Sequence, residues 1–277
     1  LGAAGGLIMA SLVTDGGLGI GALAGVNPFT PWASNVWGWT LNLLIAMVLA
    51  ALLGTVIERV AMRPMIGQPQ VAMTVVTIGI SITLQLFVDR APIARTLRVP
   101  WGAEVWDVGG AVIAKSWVAQ ILIATIVFGA LYVFDRSRLG VATRAVASDV
   151  EAATVTGIDP GRIFALAWGL AAATATLAAV AFSFSPRGVG VVNTSGTPGL
   201  FFRALPVLAI GGWDSYRGAY LGGLAIGLTQ VLSGRLFAGQ VDILGAGYST
   251  IIPYVLMILV LLIRPAGLFG QRAVRRV

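Results

Sequence analysis

The feature that most constrains this chain is a series of long apolar segments separated by short polar connections. They cover residues 1–13, 38–57, 71–88, 116–134, 164–184, 199–212, 218–236 and 249–263. A helix needs roughly 20 apolar residues to cross the hydrocarbon core of a bilayer, and most of these segments approach that length. Because lipid offers no hydrogen-bond partners, the backbone must pair within each segment. We therefore predict an all-α fold, a polytopic transmembrane helical bundle with short or broken helices.

The residue types that are missing restrict the chemistry. Charged residues make up only 10% of the chain, and it has neither histidine nor cysteine. This excludes thiol nucleophiles, imidazole bases, disulfides and thiolate or imidazole metal sites. The remaining carboxylates do not pair on one helical face, which disfavours an intramembrane enzyme. We predict a protein that moves a solute, with no catalytic residue, metal site or cofactor on this chain.

The distribution of arginine predicts the orientation of the chain in the membrane. Cytoplasmic loops of membrane proteins are enriched in Lys and Arg. If the basic tail 264–277 is cytoplasmic, segments 58–70, 135–163 and 213–217 are cytoplasmic too, and together they hold most of the basic residues. We predict a multi-pass protein of the bacterial cytoplasmic (inner) membrane with its C-terminus in the cytoplasm. Its positive charge has a topological role, and we expect no nucleic acid partner.

Segment 135–163 is the longest of the predicted cytoplasmic loops. It has helical character from Gly140 to Thr156, and Gly157 is a typical C-terminal stop. Its apolar residues alternate at helical spacing with charged ones, which predicts a helix lying at the membrane edge with one face toward a cytosolic partner. A solvated loop could show the same pattern. We expect Asp149 and Glu151 to lie late in this predicted helix, where the helix dipole does not favour them.

Polar residues mark one face of the predicted span 71–88. Thr74, Thr77, Ser81 and Gln85 follow each other at spacings of three, four and four, with Gly79 between them. Such hydroxyl and amide groups either bond neighbouring helices or line a wet path through the membrane. Both interpretations stay open, and we take these five residues as candidates for a translocation pathway.

Small residues are frequent in spans 164–184 and 218–236. The spacings Gly218-x-x-x-Gly222 and Gly223-x-x-x-Gly227 allow close approach of helices, and we expect them to serve packing. Span 199–212 is short, contains Pro206 and ends in a pair of glycines, which predicts an interrupted helix. Arg203 within it is expected to reach the outer interface.

No feature of this chain supplies energy for transport. No carboxylate lies in the middle of a span, whereas proton- or sodium-coupled carriers usually keep one there. The stretch 109–116 resembles a phosphate-binding loop, but Ala114 stands where that loop needs glycine before the only lysine, Lys115. If ATP drives this protein, another chain hydrolyses it.

Five motifs, in the same order, resemble those of the branched-chain amino acid ABC permease family of the LivH and LivM type. They are E-R-V-A-M-R-P (58–64), T-I-G-I-S-I-T-L-Q (77–85), S-R-L-G-V-A-T-R-A-V-A-S-D-V-E-A-A-T-V-T-G-I-D-P-G-R-I-F-A-L (137–166), G-G-W-D-S-Y-R-G-A-Y-L-G-G (211–223) and R-P-A-G-L-F-G (264–270). The resemblance covers about 58–277. At the start the sequence departs from the family, whose first helix is expected to be missing here.

The resemblance implies a single transmembrane permease domain over 1–277, with an ABC importer permease fold and with 135–163 as its cytoplasmic coupling loop. It implies these partners: a second, homologous permease subunit, two cytosolic ATPase subunits that hold ATP and Mg, and an extracytoplasmic solute-binding protein. The E-A-A-x-x-x-G pattern at 151–157 implies ATPase docking there. The candidate docking residues are Arg144, Asp149, Glu151, Ala152, Ala153 and Gly157.

The solute and the energy source leave alternatives. Branched-chain or other amino acids are the leading solutes, and urea or a short amide is an alternative within the same family. An energy-independent channel or a secondary carrier is the alternative from another class. Co-purification with an ATPase, and loss of uptake without it, would distinguish the importer from these.

Overall fold

The structure, a computed structural model, describes residues 1, 4–6, 8–9, 36–90, 99–101, 104–109, 111–183, 196–213, 215–236 and 248–270. They form two compact units. The first comprises Leu1–Val127 and Phe134–Thr197, and the second Phe128–Val133 and Pro198–Val277. The predicted span 1–13 lies partly outside the described residues. In the predicted span 199–212 the backbone is described, but the side chains of residues 199–201 are not.

Helices account for almost all of the regular structure in the described part of the chain, which confirms the all-α prediction. The elements are α1 (Val36–Ile57), α2 (Gln70–Arg90), β1 (Val105–Val108), β2 (Ala111–Ala114), α3 (Lys115–Arg136), α4 (Arg138–Ser148), α5 (Val150–Val155), α6 (Pro160–Ser183), α7 (Gly196–Gly211), α8 (Tyr216–Leu236) and α9 (Tyr248–Ile263). The bounds of α1 to α3 and of α6 to α9 agree with the corresponding predicted apolar segments to within a few residues.

Four helical stretches among the described residues are long and apolar enough to cross a membrane. They are Val36–Met65, Val71–Val88, Lys115–Arg136 and Pro160–Ser183. Phe202–Gly211 and Thr250–Ile263 are apolar but shorter. Helix α8 has 21 residues, yet it does not belong to this set of four.

In the first unit, α1 packs closely against α6 through small residues. A Cβ atom on Gly54 would lie 2.7 Å from the carbonyl oxygen of Trp168, and one on Gly169 would lie 3.2 Å from Thr55. Such contacts are typical of membrane helices, where small residues let backbones approach and gain dispersion energy. Toward its N-terminus α1 contributes Trp39, whose ring meets that of Trp101 edge-on at 5.2 Å.

In the second unit, the predicted packing role of the glycines is confirmed for the Gly218-x-x-x-Gly222 pair. A Cβ on Gly218 would overlap the carbonyl oxygen of Gly211, and one on Gly222 would lie 2.7 Å from that of Val207. Gly227 has no atom within 4 Å of its Cβ position among the described residues. Helices α7 and α8 therefore approach most closely at the first glycine pair, while in the second pair only Gly223 reaches α7, with its Cβ position 3.7 Å from the Val207 side chain.

Two of the family-like motifs meet at the end of α7. The amides of Leu268 and Phe269 donate to the carbonyl oxygens of Ile210 and Gly211, at 2.8 and 3.2 Å. Gly212 has a φ of +97°, and a Cβ there would lie 2.5 Å from the amide nitrogen of Gly270. The segment 264–270 therefore caps carbonyl groups that the end of α7 leaves without intrahelical partners.

The prediction of an interruption in 199–212 is wrong for the described backbone. Residues Gly196–Gly211 form one helix with the buried Pro206 inside it. Proline removes one intrahelical hydrogen bond, but membrane helices tolerate this because neighbouring groups satisfy the freed carbonyl.

The described residues of stretch 109–116 include the second strand of a β-hairpin and the start of α3. Strands β1 and β2 pair antiparallel, with Val108 opposite Ala111, and Gly109 has a φ of +62° at the turn between them. Lys115 forms an ion pair with Glu104, and its ammonium lies over the ring of Trp106. The lysine is thus engaged in a surface cluster, as expected if the stretch is not a phosphate-binding loop.

Candidate functional site

The predicted coupling segment is two helices rather than one. The sequence favoured a single helix over 140–156, but the backbone is extended at Asp149, with φ −162° and ψ 108°. Asp149 caps the second helix, α5, because its Oδ1 accepts from the amide of Ala152 at 3.0 Å. Glu151 consequently lies in the first turn of α5, where the dipole favours a carboxylate. The expected unfavourable placement of both residues is wrong.

Both helices of this segment begin at capping side chains, and α5 has a defined end. Ser137 accepts from the amide of Gly140 at 3.2 Å at the start of α4. At the end of α5, Gly157 has a φ of +86° and donates to Thr154, while Ile158 donates to Ala153. This pair of hydrogen bonds is a Schellman motif, which confirms Gly157 as the stop.

The helix pair 138–155 is held against α6 by a small apolar cluster. Val146, Ala153 and Ile163 are buried together, with Ile158 and Phe164 packed against them. Every candidate docking residue except Ala153 is exposed, and Ala153 therefore supports the surface from beneath. Val155, the last residue of α5, is 89% exposed.

Arg144 is tied to the end of α3. Its Nη1 donates to the carbonyl oxygen of Asp135 at 2.6 Å and pairs with the Asp135 carboxylate. Because both side chains are partly exposed, this ion pair contributes modestly to holding α4 at the end of α3. Arg144 is therefore an exposed candidate for contact with the ATPase and also links α4 to the end of α3.

The five pathway candidates are distributed along α2. Thr77 donates to the carbonyl oxygen of Thr74 at 2.8 Å, so this hydroxyl bonds its own helix. Thr74 and Thr77 line a cavity of about 400 Å³, together with Glu58, Arg63 and Trp168. Gly79, Ser81 and Gln85 lie farther along the helix and do not line it. Of these, Gly79 and Ser81 are exposed and Gln85 is half-buried.

Glu58 and Arg63 face each other because the chain leaves α-helical geometry after α1. Residues Glu58–Met62 form a π-helical turn, in which the amide of Arg63 donates to the carbonyl oxygen of Glu58. Residues five apart do not meet on an α-helix, whereas an i→i+5 bond stacks them. The Arg63 Nε accordingly donates to Glu58 Oε1 at 3.4 Å.

The Glu58 carboxylate is only partly satisfied. The residue is 1% exposed, and its Oε2 has no hydrogen-bond partner among the described residues. Arg63 uses its Nη2 to donate to the carbonyl oxygen of Gly161 at 2.9 Å. A buried charge is costly unless each of its lone pairs is engaged, and such groups are frequent at functional sites.

The comparison with known proteins identifies the family. Residues 3–261 match the family described as the permease component of branched-chain amino acid transport systems. The chain belongs to this family. It is therefore a multi-pass membrane permease, a transport subunit rather than an enzyme, as the resemblance and the apolar helices predicted.

Curated relatives of the permease carry the same designation. The high-affinity branched-chain amino acid transport system permease protein BraD of Pseudomonas aeruginosa is 32% identical over 243 residues, 84% of this chain and 75% of the relative. LivH of Escherichia coli K12 is 32% identical over 255 residues, 87% of this chain and 78% of the relative. LivH of Salmonella typhimurium is 31% identical over 247 residues, 84% and 74% respectively. No solved structure matches the permease.

Sequence reasoning missed Glu58 and Arg63 as site residues. Both lie in the family-like motif 58–64, which indicates a resemblance but assigns neither residue a role at a site. A glutamate directly at the end of a long apolar span was the available signal, since such a residue is buried only where it has a partner. The π-helical turn that brings the two together has no signal in the sequence.

Proposed function

We propose that this permease is the membrane-spanning subunit of an ABC importer that moves branched-chain or other amino acids across the bacterial inner membrane. Separate cytosolic ATPase subunits, which hold ATP and Mg, drive the transport. An extracytoplasmic solute-binding protein delivers the solute, and a second homologous permease subunit completes the pathway. The C-terminus lies in the cytoplasm.

The observation that carries this proposal is the helix pair 138–155. It is short, capped by Ser137 and Asp149, stopped at Gly157, and anchored to α6 through its buried apolar side. Such a rigid element can transmit a displacement, whereas a solvated loop would absorb it. Its outer side presents Glu151, Ala152 and the apolar Val155 to a partner groove.

The face of α2 that holds Thr74, Thr77, Gly79, Ser81 and Gln85 belongs in this proposal to the translocation pathway. Exposure of Ser81 and closeness of Thr74 and Thr77 to a cavity support it. Urea or a short amide remains the alternative solute. Family membership disfavours an energy-independent channel or a secondary carrier.

Site-specific crosslinking tests the docking surface. The chain has no cysteine, so Thr154→Cys introduces a unique thiol on the exposed side of α5. In the assembled complex we expect it to crosslink to the ATPase subunit with a short bifunctional reagent. A matched control is Val112→Cys. Val112 is exposed in the hairpin that precedes α3, whereas the docking segment follows α3, and the helix between them is about 33 Å long.

Absence of a crosslink from Thr154→Cys in a complex that still hydrolyses ATP would overturn the docking assignment. A crosslink from Val112→Cys to the ATPase would do the same, since it would place the ATPase on the wrong side of the membrane. ATP-dependent uptake of labelled L-leucine by proteoliposomes with the binding protein tests the transport function itself.

A further inference from the structure

The Glu58–Arg63 pair separates two cavities of opposite character in the first unit. The cavity of about 400 Å³ is lined mainly by apolar side chains, those of Met62, Ile66, Met73, Phe164 and Trp168. The second cavity, of about 470 Å³, is lined by charged ones, those of Arg59, Asp159 and Arg162. Glu58 and Arg63 line both. This boundary fits a ligand with one apolar end and one charged end.

The two members of the pair each retain capacity for a further partner. Glu58 Oε2 is buried and without a hydrogen-bond partner among the described residues. The hydrogen bonds of Arg63 to Glu58 and Gly161 engage two of the five N–H donors of a guanidinium. Side by side, the pair therefore offers one anionic acceptor and several cationic donors.

We infer that this boundary binds a zwitterionic amino acid with an aliphatic side chain. Glu58 accepts from its ammonium group, Arg63 donates to its carboxylate, and its side chain enters the apolar cavity. The inference rests on the proposed function and deepens it, because it assigns a solute-binding position to residues of this chain. The cavity volume lies within the range of roughly 300–1,000 Å³ that is usual for small-molecule sites.

The same geometry discriminates among the solutes considered above. An ammonium group next to the buried Glu58 carboxylate, and a carboxylate next to the partly exposed Arg63 guanidinium, give each charge an opposite partner in one step. Urea and short amides carry no charge, and they would leave the apolar cavity without an occupant.

The experiment uses a diazirine analogue of L-leucine as a photoactivatable probe on the complete transporter in lipid. We expect adducts on peptides from the apolar cavity, containing Met62–Met73 or Phe164–Trp168. Excess L-leucine should suppress them. Leucinamide lacks the carboxylate and 4-methylpentanoate lacks the ammonium, so each should compete at least roughly tenfold less well.

Glu58→Gln is the decisive variant, because glutamine keeps an oxygen for Arg63 but carries no charge. We expect its labelling to fall by roughly tenfold or more. Glu104→Gln, which makes the same change in the hairpin ion pair, should label like wild type. If the Glu58→Gln complex does not assemble, competition by L-leucine, leucinamide and 4-methylpentanoate on the wild-type complex still tests whether the site requires both charged groups.

The inference is overturned if adducts map elsewhere, if 4-methylpentanoate competes as well as L-leucine, or if labelling of an assembled Glu58→Gln complex is unchanged. ATP-driven uptake without cavity labelling would overturn the inference and leave the proposed function standing. Cavity labelling without ATP-driven uptake of any amino acid would support the binding site and overturn the proposed function.

Discussion

Arg63 donates to the carbonyl oxygen of Gly161 at 2.9 Å, although the two residues are 98 positions apart in the sequence. Arg63 follows the end of α1, and Gly161 lies in the first turn of α6, directly after the proposed docking segment. A Cβ on Gly161 would lie 2.9 Å from the Arg63 Nη2. This contact connects the Glu58–Arg63 pair to the start of α6, the helix that follows the docking segment.

Replacing Arg63 by alanine should destabilise the permease. The substitution leaves the Glu58 carboxylate buried without its described partner, which should cost about 1–3 kcal/mol. This is less than for a fully buried ion pair, because the Arg63 side chain is 39% exposed and partly hydrated. The thermal midpoint of the detergent-purified chain measures it. The double variant Arg63→Ala/Glu58→Gln should recover part of the loss, and a double variant less stable than Arg63→Ala would argue against the pair.

Loss of the cap at Asp149 should loosen α5 without unfolding the spans. Asp149→Ala removes the acceptor for the amide of Ala152 and costs about 1 kcal/mol locally. We expect faster amide hydrogen exchange over residues 150–155 and weaker solute-stimulated ATPase activity in the complex.

Asparagine at position 149 separates capping from charge. Asp149→Asn keeps an acceptor oxygen and should retain the slow exchange of α5. If its ATPase coupling is nonetheless as weak as that of Asp149→Ala, the carboxylate itself contacts the partner and the cap is not the main contribution.

Val155 should matter for docking and not for folding. Its side chain is 89% exposed, so Val155→Glu should change stability by no more than about 0.5 kcal/mol. A charge at an apolar contact should nevertheless weaken binding of the ATPase by roughly tenfold, measured by co-purification at graded detergent or salt. Val155→Thr, which keeps the shape, is the control, and equal binding of Val155→Glu and wild type would exclude α5 from the interface.

Gly218 and Gly227 of α8 should respond in opposite ways to substitution by alanine. Gly218→Ala places a methyl group against the carbonyl oxygen of Gly211, and the resulting overlap should cost about 1–3 kcal/mol or more. Gly227→Ala meets no described atom and should be neutral or stabilising by up to about 1 kcal/mol, because alanine favours the helix. Thermal midpoints of both variants test this, and a Gly218→Ala protein as stable as wild type would contradict the close approach.

Much of the local structure could be predicted because its causes are local. The apolar segments placed the helices, since a bilayer demands apolar side chains and an internally paired backbone over a fixed length. Gly157 was recognisable as a helix stop because only a residue without Cβ adopts a φ of +86° at little cost. The sequence pattern wrongly places Asp149 inside a single helix, because a capping residue within an amphipathic pattern resembles any other polar position.

The candidate site was less accessible to sequence reasoning. Thr74 and Thr77 were selected by helical spacing, and the structure brings them to the cavity that Glu58 and Arg63 also line. The spacing of those last two predicts that they point apart, because it assumes α-helical geometry. The π-helical turn reverses this, and no single residue type signals it.

The sequence by itself determined that this chain is a helical membrane protein, and five short motifs were enough to indicate its family. These properties follow from composition, periodicity and local motifs, which act within a few turns of helix. Only the tertiary structure decided which groups meet: Glu58 with Arg63, Arg63 with Gly161, and Gly211 with Gly218. Such contacts depend on the packing of whole helices. The absence of a Cβ on Gly211 and Gly218 lets their backbones touch, and the wider π-helical turn brings the charged side chains of Glu58 and Arg63 together.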